Sequence, residues 1–161
     1  VNLVGTSGGA WAAVNAALEQ PYLVDKVVAD SFDGRTLADD FSENLLKERA
    51  EAKKDEMGRA FYEWCQGDDW ERIVDMDTNA MVQCAKEKLP LFTKPLSALE
   101  NHLLLMGSEG DDMCRADFQD EYRVIARETN ADICIFPEGV HPAILSCAEK
   151  AAEAISRFLE E

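Results

Sequence analysis

Ser7 stands at the centre of Gly5-Thr6-Ser7-Gly8-Gly9, between the apolar run Val1-Asn2-Leu3-Val4 and an alanine-rich stretch with helical character. A serine on a tight strand-to-helix turn is strained, and residues without bulk two before and two after it let the two backbone segments pass. Its hydroxyl then projects into open space, while the amide of Gly8, at the start of the following helix, can face a developing oxyanion. A serine hydroxyl is a poor nucleophile at neutral pH. It must pass its proton to a base, usually histidine, which a carboxylate holds in one tautomer.

The base comes from two histidines. His141 lies in the turn-rich Pro137-Glu138-Gly139-Val140-His141-Pro142, after the apolar strand Ile133-Cys134-Ile135-Phe136 and before a helix starting near Ala143. That is a loop at the carboxyl end of a strand, where open α/β sheets place their reactive groups. His102 instead begins a buried-looking strand, His102-Leu103-Leu104-Leu105-Met106, and reads as a structural histidine. His141 is the base by elimination and by position. After that strand comes Gly107-Ser108-Glu109-Gly110-Asp111-Asp112-Met113-Cys114, again a loop at a strand's carboxyl end, which offers Glu109, Asp111 and Asp112 as carboxylates. Asp30 and Asp33 follow another strand, Lys26-Val27-Val28-Ala29, where loop capping and turn formation would also explain them.

Serine, then acid, then histidine is the chain order of the α/β-hydrolases. The elbow Gly5 to Gly9, the strand and acid loop Leu103 to Met113, and the histidine loop Gly139-Val140-His141-Pro142 together resemble that family along essentially the whole chain. The resemblance implies a serine hydrolase that cleaves a small carboxylic ester, thioester or amide through an acyl-enzyme, with no cofactor and no metal. In many members the acid falls three residues after a loop glycine, here Gly110, and this sequence departs from that spacing by one residue. Asp111 is taken as the acid, with Asp112 the alternative and Glu109 behind it; Asp30 and Asp33 stay open because some relatives carry the acid one strand earlier. Ser7 would attack, His141 would relay the proton, Asp111 would orient His141 and the Gly8 amide would hold the oxyanion. An acyltransferase using the same triad, or a catalytically incompetent hydrolase-fold fragment acting as a binding module, are the alternatives.

The chain's 161 residues and 47% apolar content fit one sizeable core. No run approaches the ~20 apolar residues that span a bilayer. The formal net charge of −16 argues against nucleic acid or an anionic membrane as partner, because phosphates are bound by clustered lysine and arginine. The five cysteines, Cys65, Cys84, Cys114, Cys134 and Cys147, are odd in number and contain no C-x-x-C pair, which suggests neither a disulfide framework nor a zinc site. A cytoplasmic location follows as the default expectation, with Cys134 and Cys147 read as small core hydrophobes.

The elements that must position these groups alternate strand and helix. Strands at Val1–Val4, Val24–Ala29, Leu103–Met106 and Ile133–Phe136, with helices at Gly9–Gln20, Ala116–Thr129 and Ala143–Leu159, predict right-handed βαβ crossovers and an α/β fold with a parallel sheet flanked by helices. Phe118, Tyr122, Ile125 and Ala126 mark the inner face of the second of these helices. From Thr36 to Pro95 the chain turns charged and helical, with Phe41, Leu45, Leu46, Met57, Phe61, Trp64, Trp70, Met76 and Met81 at mixed helical spacings, as the inner faces of amphipathic helices would have. The expected organisation is core at 1–35, a helical cap insertion at 36–95 that the resemblance implies would shape the acyl or alcohol pocket, and core again at 96–161.

The family topology sets the four strands side by side in chain order, as the C-terminal half of the hydrolase sheet. The chain starts without methionine on a strand expected to be central, as a truncated or processed fragment would; the missing part is expected to include the loop that supplies a second oxyanion amide, so the isolated chain is expected to be an impaired enzyme. The Val1–Val4 edge is therefore expected to pair with the rest of the polypeptide or with another copy. The acidic end Leu159-Glu160-Glu161 reads as a frayed helix terminus.

Overall fold

The computed structural model describes residues 1–160; Glu161, the last residue of the expected frayed terminus, lies outside them. Strand β1 (Leu3–Thr6) passes through Ser7 into helix α1 (Gly8–Glu19), and β2 (Lys26–Asp30) follows. Three helices come next, α2 (Phe41–Ala52), α3 (Glu56–Gln66) and α4 (Trp70–Glu87). The chain then returns as β3 (His102–Ser108), α5 (Phe118–Thr129), β4 (Asp132–Phe136), α6 (Ala143–Ser146) and α7 (Ala148–Glu160). The four strands form one parallel sheet in the order β1-β2-β3-β4, the arrangement expected from the sequence.

Element limits shift where pairing or local bonding outweighs the apolar pattern. β1 lies later than Val1–Val4, and β2 begins at Lys26 rather than Val24. β3 runs on to Gly107 and Ser108 because they pair with Ile135 and Phe136 of β4. The single closing helix expected at Ala143–Leu159 is two helices, broken at Cys147. Ser146 Oγ donates to the Val140 and Pro142 carbonyls at 2.6 and 3.1 Å and accepts the Val140 amide at 3.0 Å, so this serine closes the histidine loop and ends the helix.

The described residues form two compact units, 1–36 with 91–160, and Leu37–Pro90. In the sheet unit, alternate residues of each strand face opposite sides. Val28, Leu104, Met106 and Phe136 pack with Ala143, Cys147, Ala151 and Phe158. α1 packs on β1 and β2 through Ala10, Ala13, Val14 and Ala17, whose small side chains permit close approach. Phe118, Tyr122 and Ile125 of α5 are buried as expected, and Phe32 links Trp11 to Tyr122 in an aromatic chain with centroids 5.6 and 5.4 Å apart. Cys147 is buried but Cys134 only half so, and all five cysteines are free.

In the helical unit α2 and α3 pack on α4. Tyr62 stacks on Trp70 at 5.8 Å, and the Arg49 guanidinium lies 5.5 Å from the Tyr62 ring. The apolar residues picked out by spacing are not its sealed ones. Leu46, Met57, Phe61, Trp64 and Met76 are exposed, and the buried apolar side chains here are Tyr62 and Val74.

Candidate active site

Ser7 occupies a strained backbone position, with φ 52° and ψ −125°. Its amide donates to the Asp30 carbonyl at 2.8 Å and its own carbonyl accepts from Ala10 at 2.9 Å, so both peptide groups are fixed by neighbours. A serine before a helix usually caps it, but Ser7 makes no capping hydrogen bond in this conformation. Gly5 is sterically required, because a Cβ there would collide with the Gly9 carbonyl. The expectation that the second flanking position must also lack bulk does not hold: a Cβ on Gly9, or on Gly8, meets nothing within 4 Å. Gly8 is exposed as the first residue of α1, where backbone amides have no partner within the helix.

The loop after β3 carries Asp111 and the loop after β4 carries His141, and the fold brings these two side chains together. Nδ1 of His141 lies 2.9 Å from Oδ2 and 3.1 Å from Oδ1 of Asp111, whose side chain is fully buried. The Met113 and Cys114 amides each donate to Asp111 Oδ1 at 3.1 Å, and the Cys114 thiol donates to Oδ2 at 3.5 Å. Burial pushes the Asp111 carboxyl up, but the hydrogen bond and charge of His141 together with the two amides outweigh it and hold the group below its usual range. Asp112 and Glu109 are exposed and have no hydrogen bond to His141. His102, the other histidine, is exposed at the opposite end of β3.

Asp30 and Asp33 have other partners. The Asp30 carboxylate is buried and accepts from Thr6 Oγ1 at 2.8 Å, from the Ile144 amide at 3.2 Å and from Ser31 Oγ at 3.3 Å. Ser31 Oγ in turn accepts the Ala143 amide at 2.9 Å. One residue thus binds the position before Ser7 to the segment just after His141, while its carbonyl holds the Ser7 amide. Burial raises the Asp30 carboxyl above its usual range, against the hydrogen bonds from Thr6, Ile144 and Ser31. Asp33 accepts the Arg115 amide at 2.7 Å, which pins the acid loop to the loop after β2.

Sequence reasoning missed three supports. Tyr122 Oη accepts the Phe32 amide at 3.1 Å and donates to the Met106 carbonyl at 3.2 Å, tying the ends of β2 and β3 beneath the acid loop. Arg35 grips Glu121 of α5 with Nε at 2.7 Å and a second nitrogen at 3.0 Å. Cys114 places a thiol beside the acid. Apolar periodicity marks Tyr122 as inward-facing but carries no signal for the bonds of its hydroxyl or for the Arg35–Glu121 pair, whose partners lie far apart in sequence, and Cys114, though only three residues from Asp111, lies in a loop with no period.

No protein-family model and no curated protein matches the chain. Solved structures do. A lipase-esterase related protein from Clostridium acetobutylicum is 20% identical with a TM-score of 0.69, covering 98% of this chain and 65% of its own. NosK from Streptomyces actuosus is 17% identical with a TM-score of 0.74, covering 99% and 68%. A serine hydrolase involved in carbazole degradation is 21% identical with a TM-score of 0.70, covering 99% and 63%. This chain spans about two thirds of the length of these structures. With its parallel sheet, elbow and loop order, the chain has the α/β-hydrolase fold.

Proposed function

We propose that this protein is a serine hydrolase that cleaves a small carboxylic ester, thioester or amide through an acyl-enzyme. The observation that carries the reading is the bond between His141 Nδ1 and the buried Asp111 carboxylate. An ionised Asp111 accepts the Nδ1 proton, which leaves Nε2 with the lone pair a general base needs. In this reading Ser7 Oγ gives its proton to Nε2 as it attacks the substrate carbonyl, and the Gly8 amide stabilises the oxyanion. The protonated His141 then supplies the leaving group's proton, and a water activated by the same nitrogen releases the acyl group. Asp30 is a positioning residue here, since it holds the nucleophile turn and the histidine segment on one carboxylate.

The helical unit Leu37–Pro90 is proposed as the inserted cap, setting acyl chain-length preference; exchanging it for a short linker should change which p-nitrophenyl ester is preferred. The central test is labelling with a fluorophosphonate followed by peptide mapping. A label on Ser7 that is lost in Ser7→Ala and in His141→Ala, with hydrolysis of short p-nitrophenyl esters, supports the reading. A folded protein that takes no label overturns it.

A further inference from the structure

We propose that Asp111, Cys114 and His141 form a binding site for a soft divalent cation, Zn2+ above all, and that its occupancy disables Ser7. The second half rests on Ser7 and His141 being nucleophile and base; the first half does not.

The three side chains each offer one donor atom, and the donors all lie within 4.8 Å of one another. They converge on Asp111 Oδ2, with His141 Nδ1 at 2.9 Å and Cys114 Sγ at 3.5 Å. A carboxylate oxygen, an imidazole nitrogen and a thiolate sulfur are the three common zinc donors, at about 2.0 to 2.3 Å from the metal, which sets donors around one tetrahedral ion about 3.3 to 3.7 Å apart. The thiol contact is already at that spacing, the contact between acid and histidine needs to open by a few tenths of an ångström, and the imidazole and thiol, within 4.8 Å of each other, close to the same spacing around the ion. The Met113 and Cys114 amides hold the other carboxylate oxygen, a supporting layer of the kind that orients metal ligands. Sulfur in the set selects zinc over magnesium or calcium.

Without metal the Cys114 thiol donates to Asp111 Oδ2. A divalent cation reverses this, because coordination deprotonates a thiol outright. In the binding step the S–H bond breaks, the S–Zn bond forms and that proton goes to solvent. At neutral His141 the metal takes the Nδ1 lone pair while the ring proton moves, through solvent, to Nε2. One proton is released per ion, and Nε2 can no longer accept the proton of Ser7. The ion also replaces the contact between Asp111 and His141.

Calorimetric titration with ZnCl2, in a non-chelating buffer containing excess Mg2+ to saturate the acidic surface, is expected to show one ion per chain. Affinity should fall by at least about 100-fold in Cys114→Ala and stay unchanged in the exposed Cys65→Ala. Cys114→Ser, with circular dichroism on both variants, guards against a folding defect. Fluorophosphonate labelling is read in parallel, each protein against its own zinc-free sample: zinc should suppress labelling of wild type, reversibly by chelator, and spare Cys114→Ala. Equal zinc affinity in wild type and Cys114→Ala, or no binding by either, overturns the site. Binding lost with Cys114 but labelling insensitive to zinc overturns the disabling step. No label with or without zinc defeats the serine reading instead, and the titration still decides the metal site.

Discussion

The sheet unit and the helical unit place their apolar and polar residues in opposite ways. In the sheet unit Leu105 and Met106 are 0% exposed and the polar groups reach across distant loops, as Asp30 does to Thr6 and Ile144. In the helical unit Met57 and Trp64 are 81% and 82% exposed, and ion pairs such as Lys53 with Asp75 lie at the surface. The two central strands are sealed, with Val27, Val28, Leu103 and Leu105 buried, while the edge strands leave Val4 and Ile133 partly in water; the three helices of the other unit seal only a narrow seam. One unit is therefore built for geometric accuracy, the other around a seam of Tyr62, Trp70 and Val74.

The contrast makes graded demands on mutation. Asp111→Asn is expected to lower turnover roughly 1,000- to 10,000-fold with little change in stability, because it leaves His141 in the wrong tautomer. Asp112→Asn should stay near wild type in ester hydrolysis; equal small losses in both would take the acid away from Asp111. Leu105→Ala should destabilise by about 3 to 5 kcal/mol in denaturant titration, since it empties a fully buried site. A smaller cost than that of Tyr62→Ala would reverse the ranking of the two units.

Glu121→Gln should cost about 2 kcal/mol at neutral pH through its bonds to Arg35. Burial raises the Glu121 carboxyl, but the side-chain bonds, backbone bond and charge of Arg35 prevail and hold it low. A depressed folded pKa stabilises above the unfolded value, so the gap between wild type and variant should shrink as pH falls below about 4.5, the ordinary glutamate value, and through the lower folded one. A gap that is constant with pH removes the ion-pair explanation. The smallest effect is expected from Trp64→Ser, within about 0.5 kcal/mol despite the loss of a large aromatic, because that side chain is already in water.

The sequence disclosed whatever depends on local pattern or chain order. The alternation of strands and helices, the sheet order and the Ser7 turn follow from apolar runs and glycine positions. It disclosed less where partners meet only through the sheet. Asp30 lies opposite Thr6 because β1 and β2 are in parallel register, so its carboxylate bridge is invisible to motif reading. Cys114 came near His141 only when β3 and β4 paired, which is why cysteine spacing gave no hint of a metal-binding set. The helical unit misled for another reason: its apolar spacings were mixed, and the exposed row Met57, Phe61 and Trp64 follows helical period as faithfully as a buried one.

The register that sets Lys26 beside His102 also orders the folding of the chain. β1, α1 and β2 form a local unit carrying Ser7, and β3, α5 and β4 form another that leads to Asp111 and His141. Each can assemble from nearby residues, whereas the seam between β2 and β3 must wait for the chain to close across the whole helical unit, a long-range contact and so a slow one to find. Ser7 and His141 are thus strangers until the last ladder zips. Recovery of hydrolysis during refolding should lag behind recovery of helical signal, and would serve as a clock for that closing step.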